Sequence, residues 1–161
     1  MANSITDNRT LVVNADSVTN WVASASATLD TEIYITGTGS IGEQMTNSLR
    51  YIMFNTGATQ NWSNNVFYLW VNCGIVGLLT SKATGGFRIR FAGPTVTNFF
   101  EVYVGGNDDW PLAVAGGWVQ FVVDIELARG LAVIQGWTGG TPPATSAIQH
   151  IGYAAITSVM T

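Results

Sequence analysis

Alternating apolar and polar positions recur along the chain, and they predict β-strands rather than helices. Segments rich in Val, Ile, Phe, Tyr, Trp and Thr are separated by Gly, Pro, Asn, Asp and Ser. They lie at residues 9–14, 29–36, 48–54, 65–72, 86–92, 98–104, 117–126 and 147–155. Two other stretches, 42–49 and 125–132, would make a turn or two of helix at most. We therefore predict a single domain over residues 1–161, an all-β antiparallel two-sheet sandwich of jelly-roll type with about eight strands and almost no helix.

Four segments each have one apolar face, and their opposite faces mix aromatic and polar side chains. In GFRIRF, Phe87, Ile89 and Phe91 alternate with Arg88 and Arg90. If the four strands share a sheet, the second set of side chains forms a polar–aromatic platform. The residues of this predicted face are Tyr68, Trp70, Arg88, Arg90, Glu101, Tyr103, Trp118 and Gln120.

This face has two interpretations. Arginine forks bind carboxylates and stack on rings, and flat Tyr and Trp rings suit sugars, which favours a ligand or partner surface. Alternatively, Arg88 or Arg90 pairs internally with Glu101 across neighbouring strands, and the aromatic rings pack under loops or against another subunit.

The composition excludes several classes of partner. Charged residues make up only 10% of the chain, hydrophobic residues 47%, and the net charge is −4 with six Lys and Arg. A basic footprint for nucleic acid is missing, as are basic stretches for an anionic membrane. The longest apolar run, CGIVGLL, is too short to cross a bilayer, so we expect no membrane insertion. The polar N-terminus does not resemble a signal peptide, and we expect synthesis in a cytoplasm.

The segment GTGSIG, residues 37–42, matches the G-x-G-x-x-G fingerprint of dinucleotide-binding folds. That fingerprint needs a helix after the last glycine and an acidic residue about 20 positions later for the ribose. The chain has no acidic residue between Glu43 and Glu101, and strand-like RYIMF follows closely. We interpret the segment as a glycine-rich turn, and no bound cofactor is implied.

One loop could hold a metal ion. Asn107, Asp108 and Asp109 offer three adjacent oxygen donors for Ca²⁺. A polar hairpin tip is the commoner meaning of such a cluster, and we predict no metal site.

Catalytic candidates are few. Asp124 and Glu126 are two apart and would share a strand face, an arrangement that suits a glycosidase acid pair. Acidic side chains at the end of a strand are also commonly exposed to solvent without any catalytic role. Cys73 is expected to be a buried small hydrophobe, since the one histidine, His150, has no other sign of partnering it. We predict a non-enzymatic protein and no catalytic residue.

Residues 47–126 resemble structural proteins of tailed bacteriophages and prophages. The resemblance is carried by NWSNNVFYLWV, GGFRIRF, FFEVYVGGNDDWP and GGWVQFVVDIE. Those proteins have a jelly-roll domain similar to carbohydrate-binding modules and concanavalin-like lectins. They run on after the strand that resembles HIGYAAITS, so we expect the chain to be the N-terminal part of a longer protein in preference to a short member.

The resemblance implies a virion component that is made in the host cytoplasm. We expect a capsid decoration protein, head fibre or tail-associated module that contacts capsid or tail proteins and forms a homo-oligomer such as a trimer. The alternative is a lectin-like module that recognises surface glycans through the Arg/aromatic face, and a glycosidase is the remote alternative. Neither catalytic nor sugar-binding residues carry over from the resemblance.

Overall fold

The structure, a computed structural model, describes residues 15–32, 38–42, 49–72, 79–108 and 117–157. The strands are β1 (Trp21–Ala23), β2 (Thr28–Asp30), β3 (Ser40–Gly42), β4 (Arg50–Gln60), β5 (Val66–Asn72), β6 (Phe87–Ala92), β7 (Phe99–Gly105), β8 (Trp118–Asp124), β9 (Thr138–Gly139) and β10 (Ile148–Ala155). The helix α1 is Ile125–Gln135, and short 3-10 turns lie at Lys82–Thr84 and Thr145–Ala147. The predicted antiparallel, all-β, sandwich-like fold is confirmed.

Most strands belong to one sheet. Six of them form the large sheet in the order β1–β4–β10–β6–β7–β9, with every neighbouring pair antiparallel. β5 and β8 form a separate two-stranded antiparallel sheet, the small sheet, and β2 pairs with β3. β10 follows all the other described strands in sequence, yet it lies in the middle of the large sheet.

The core lies between the large sheet and the small sheet. Phe91 on β6 stacks on Phe100 of β7, with ring centroids 5.2 Å apart. Phe67 reaches across from β5 and meets the Phe91 ring edge-on at 5.6 Å. The apolar faces predicted for β5, β6, β7 and β8 all pack into this core. Burial of each large apolar side chain stabilises the fold by about 1.5–3 kcal/mol, so these faces fix which side of each strand points inward.

Helix α1 is longer than the sequence pattern predicted. The strand expected to end at residue 126 stops at Asp124, whose side-chain Oδ1 accepts a hydrogen bond from the Leu127 amide at 3.0 Å. This N-cap starts an eleven-residue helix in place of a turn or two. Ala128 and Ala132 are buried in the core, where their small side chains let the helix approach the large sheet. Gly136 ends the helix in the left-handed conformation, with φ of 72°.

Other differences concern strand boundaries and short strands. The sequence pattern predicted a loop after residue 54, but β4 continues through that segment to Gln60. It passes a bulge where the pairing with β10 shifts and where Gly57 has φ of 84°. β1, β3 and β9 have two or three residues each, which is too short for alternation to be seen. The predicted strand at 9–14, and residues 33–36 of the next, lie outside the described residues.

A side-chain hydrogen bond joins the two sheets of the sandwich. The Tyr153 hydroxyl on β10 donates to the backbone oxygen of Trp70 on β5, at 2.9 Å. Burial raises the pKa of Tyr153 above its ordinary value of 10.0, so the hydroxyl keeps its proton in the folded state. The unfolded chain loses this proton near pH 10. The stabilising contribution is therefore complete below pH 10 and is lost as the pH rises above it.

Tyr153→Phe is expected to lower the free energy of unfolding by about 1 kcal/mol at neutral pH, because the inter-sheet hydrogen bond is lost. Above pH 10 the wild type loses up to about 1.4 kcal/mol per pH unit relative to the variant, so the gap should close and then reverse near pH 11. Urea unfolding at pH 7, 10 and 11 measures both effects. Parallel stability curves across this range would contradict the proposed protonation difference.

Candidate functional site

The eight residues predicted to share one polar–aromatic face lie on two different sheets. Tyr68, Trp70, Trp118 and Gln120 belong to the small sheet, whereas Arg88, Arg90, Glu101 and Tyr103 belong to the large sheet. The prediction of a single continuous face is therefore wrong. Alternation correctly separates the two sides of each strand, but it does not say which sheet a strand joins.

The outward side of the small sheet is largely exposed, and most of its side chains are aromatic or aliphatic. Its register places Tyr68 opposite Val122 and Trp70 opposite Gln120. Tyr68 is 50% exposed, Trp70 45% and Val122 60%. We name this surface the β5–β8 face, and its residues are Val66, Tyr68, Trp70, Asn72, Trp118, Gln120, Val122 and Asp124. Among these eight residues Asp124 is the only carboxylate, and none is Lys or Arg. The β5–β8 face therefore presents mainly aromatic and aliphatic groups to the solvent.

The three charged residues of the predicted face pair with one another on the large sheet. Arg90 and Glu101 are each 2% exposed. Arg90 Nε donates to Glu101 Oε1 at 2.7 Å, and Arg90 Nη2 lies 2.6 Å from the same oxygen. Arg88 Nη1 donates to Glu101 Oε2 at 2.8 Å. Both carboxylate oxygens are thus occupied by guanidinium groups, as the internal-pairing interpretation predicts.

Aromatic rings enclose the buried guanidinium. The Arg90 Cζ atom lies 3.8 Å from the Phe99 ring centroid and 5.1 Å from that of Tyr51. A guanidinium stacks well on ring faces and is more weakly hydrated than an ammonium, which makes burial between rings less costly. Because Arg90 and Glu101 are buried and Glu101 is held by two guanidinium groups, neither belongs to an open recognition surface, although Glu101 forms part of the wall of a cavity beside α1.

Tyr103 lies beside a small half-open cavity between α1 and the large sheet. Its ring centroid is 5.7 Å from that of Trp137. Lys82 Nζ lies 5.3 Å from the Tyr103 ring and 5.4 Å from the Trp137 ring, and Arg88 Cζ is also 5.4 Å from Trp137. The cavity has a volume of about 160 Å³. It is lined by Lys82, Glu101, Val102, Tyr103, Ala128, Leu131, Ala132, Gln135 and Trp137.

Sequence reasoning missed two of the cavity residues that carry chemistry. Lys82 lies in the short turn KAT before β6, and Trp137 follows the end of α1 directly. Neither position belongs to a periodic segment, so alternation gives no signal for them. The sequence did contain one signal for Trp137. Gly136 is typical of the residue that ends a helix, and the chain after such a residue turns back towards the sheet.

The candidate calcium loop is only partly visible. Asn107 and Asp108 follow β7, while Asp109 lies outside the described residues. In the part of the chain that the structure describes, no group of three or more His, Cys, Asp or Glu side chains could hold a metal ion.

Asp124 and Glu126 do not share a strand face, contrary to the sequence prediction. Asp124 ends β8 and caps α1, and Glu126 lies within the first turn of that helix. Glu126 Oε1 accepts a hydrogen bond from the Thr145 hydroxyl at 2.5 Å. Both carboxylates therefore have local structural partners rather than a common orientation across a cleft.

A catalytic thiol would need a histidine partner, and His150 is hydrogen-bonded elsewhere. His150 is buried, and its Nδ1 lies 2.7 Å from the backbone oxygen of Gly93. Cys73 lies outside the described residues. The histidine therefore acts as a hydrogen-bonded core residue of the large sheet.

The segment GTGSIG divides into a turn and a strand. Ser40–Gly42 form β3, so the second half is not the turn that was predicted. The backbone amides of Thr38 and Gly39 donate to Asp16 Oδ1 at 2.6 and 3.2 Å. A Cβ on Gly39 would lie 2.9 Å from the backbone oxygen of Asp30, which explains the need for glycine. The Asp16 carboxylate therefore already accepts hydrogen bonds from the backbone amides that would have to bind the phosphate of a dinucleotide.

Neither a protein-family model nor a curated protein matches this chain. The residues described here include no helix with both the length and the apolar character needed to span a membrane.

Proposed function

We propose that this chain is a non-enzymatic structural protein of a bacteriophage virion, assembled through its β5–β8 face. It would serve as a capsid decoration protein, head fibre or tail-associated module after synthesis in the host cytoplasm. The observation that carries the assembly role is the exposed apolar surface of the small sheet. The phage setting is supported by the resemblance of residues 47–126 to phage structural proteins.

The β5–β8 face has the character of an interface core. Such cores are depleted in charge and enriched in Trp and Tyr. Tyr68 and Trp70 stand side by side on β5, with the aliphatic Val66 and Val122 beside them, and all four are exposed. Contiguous exposed apolar surface of this kind marks an interaction site on a soluble protein.

A second copy of the chain is the occupant we propose for this face. Because the face carries only one charged residue, it has no electrostatic complementarity to a strongly acidic or basic partner. An apolar patch can instead pack against the same patch of a second copy, as in a symmetric homo-oligomer. Helix α1 also exposes apolar side chains, but on a surface outside the β5–β8 face, and we assign them no part in self-association. Leu127, Val133 and Ile134 are exposed there, with Ile134 at 82%.

Trp70→Ala is expected to weaken self-association by about 30-fold, since a central buried tryptophan typically contributes about 2 kcal/mol or more to an interface. Sedimentation velocity over a concentration series measures the dissociation constant. The matched control is Ile134→Ala, which removes an exposed apolar side chain from α1 and should leave the constant almost unchanged. A wild-type protein that stays monomeric at high concentration would contradict the assembly role.

The virion setting has its own test. Mass spectrometry of purified particles from the host should find the chain, and its gene should lie beside portal, capsid or tail genes. Imaging of particles that lack the protein would then separate a decoration role from a role in tail assembly. Absence of the chain from purified particles would overturn the phage proposal and leave the oligomer test unaffected.

Glycan recognition is the second candidate, favoured by the paired exposed rings of Tyr68 and Trp70. Two rings on one flat strand face can stack against successive sugars. Arg90 and Glu101, which belonged to the glycan-binding face predicted from the sequence, are excluded from this candidate site because they are buried and paired. A glycan array with the wild-type protein and with Tyr68→Ala and Trp70→Ala tests it. Binding that persists in both variants, or no binding at all, removes this candidate.

A further inference from the structure

We propose that the cavity between α1 and the large sheet binds a small ligand built on a six-membered ring that carries a carboxylate. This site is separate from the β5–β8 face and does not depend on the assembly role. It rests on three observations: an unpaired ammonium at the rim, an excess of positive charge, and an aromatic wall beside a space of about the volume of one ring.

Lys82 supplies the unpaired ammonium. It is exposed, and no described carboxylate lies within 4.0 Å of its Nζ. Its observed contacts are with the rings of Tyr103 and Trp137, at 5.3 and 5.4 Å from their centroids. These distances are near the outer limit of about 6 Å for a cation–π contact, which holds an exposed ammonium by only about 0.5–1 kcal/mol. The ammonium is therefore able to turn to an incoming anion at little cost.

The surroundings of Lys82 are positive, although the whole chain is acidic. The chain has six Lys and Arg and a net charge of −4. Three of these six, Lys82, Arg88 and Arg90, gather here around Glu101. Asp108 is the second carboxylate nearby, since a Cβ on Gly106 would meet both its Oδ1 and the Tyr103 hydroxyl, so three cations face two carboxylates. Glu101 is already shared by the two arginines, so the cluster keeps an excess of positive charge. An anionic ligand would compensate this excess, and a cationic one would be repelled.

The walls of the cavity select a ring. Tyr103 and Trp137 pack against each other and form one aromatic wall. The apolar part of the lining comes from Val102, Ala128, Leu131 and Ala132. Glu101 also lies on the lining, with both of its carboxylate oxygens held by Arg88 and Arg90. The volume of about 160 Å³ is close to that of an engineered apolar cavity of about 150 Å³ that accommodates benzene. Gln135, also on the lining, offers an amide for a hydroxyl or a carboxylate oxygen. A single ring therefore fills the space, with its carboxylate directed to Lys82.

A carboxylate-bearing ring occurs in acidic sugars and in aromatic acids, and the experiment separates these sources. Saturation-transfer NMR with sodium glucuronate and sodium benzoate reports binding, with glucose as the neutral counterpart of the sugar acid. We expect at least one acid to bind and glucose to bind more weakly. Preference for glucuronate would assign the site to an acidic sugar, and preference for benzoate to an aromatic acid.

Lys82→Met is expected to weaken binding of the preferred acid by about fivefold, the usual upper effect of an exposed ion pair. Lys82→Arg keeps the charge and should restore affinity. Arg129→Gln removes the same charge at a position that does not line the cavity, and screening should keep its effect within about twofold. Circular dichroism of each variant verifies the fold.

Two results would overturn the proposal. One is that neither acid binds better than glucose. The other is that Lys82→Met, folded as the wild type, keeps full affinity. Self-association measured on the same Lys82→Met sample should be unchanged, because the residue lies away from the β5–β8 face, so failure here would leave the assembly role standing.

Discussion

Replacing Glu101 with Gln is expected to lower the free energy of unfolding by about 3–5 kcal/mol. The carboxylate neutralises Arg90, whose side chain is 3% exposed and enclosed by Phe99 and Tyr51. A neutral amide leaves the guanidinium charged, buried and without an opposite charge. Since guanidinium groups do not deprotonate in proteins, the cost falls on the folded state. Urea unfolding at pH 7, followed by tryptophan fluorescence, measures the change.

A matched control for this prediction is Glu126→Gln. Glu126 lies on the exposed side of α1 and accepts a single hydrogen bond from Thr145, so the same substitution should cost about 1 kcal/mol or less. The double variant Arg90→Met/Glu101→Met removes both charges and should regain most of the loss, because apolar replacements of a buried pair are often neutral. A cost below about 1 kcal/mol for Glu101→Gln would mean that water reaches Arg90, contrary to the structure.

Gly152→Ala is expected to cost about 3 kcal/mol, at the upper end of overpacking effects. Gly152 lies on β10, between Met53 of β4 and Arg90 of β6. An added Cβ would overlap the backbone oxygen of Ile52 and lie 2.7 Å from Met53 Cα. Backbone atoms cannot turn away as a side chain can, so β10 must separate from β4 and lose ladder hydrogen bonds. Thermal unfolding followed by circular dichroism measures the loss.

Gly130→Ala is the control for this prediction, and it should have the opposite sign. Gly130 lies inside α1, and no heavy atom lies within 4 Å of the added Cβ. Alanine favours a helix interior over glycine by about 0.5–1 kcal/mol, so the variant should be more stable than wild type. If both glycine variants shifted stability alike, the crowding at Gly152 would not be the cause.

The strand pattern was predictable because the period of two is strong in this chain. Phe87, Ile89 and Phe91 point to the core as alternation requires, and β5, β6 and β10 lie within a residue of their predicted bounds. Helix α1 was underestimated because Gly130 and several β-branched residues weaken its intrinsic preference. Its signals were instead a capping Asp124 and a terminal Gly136, which bound the helix at each end.

The candidate site was less predictable, since it depends on which strands are neighbours. Arg88 and Trp70 look equivalent in sequence, as polar or aromatic residues opposite an apolar face. The pairing of β6 with β7 brings Glu101 to the arginines, whereas the pairing of β5 with β8 leaves Trp70 exposed. Lys82 meets Trp137 only because α1 returns the chain to the sheet, and no local pattern encodes that approach.

The central place of β10 has a consequence for the chain while it is still on the ribosome. β4 and β6 are synthesised before the strand that joins them, and each presents an open row of backbone N–H and C=O groups until β10 emerges. Pairings between segments distant in sequence form slowly. The nascent chain is therefore the form most exposed to edge-to-edge aggregation, and a translational pause before Ile148 would lengthen that exposure.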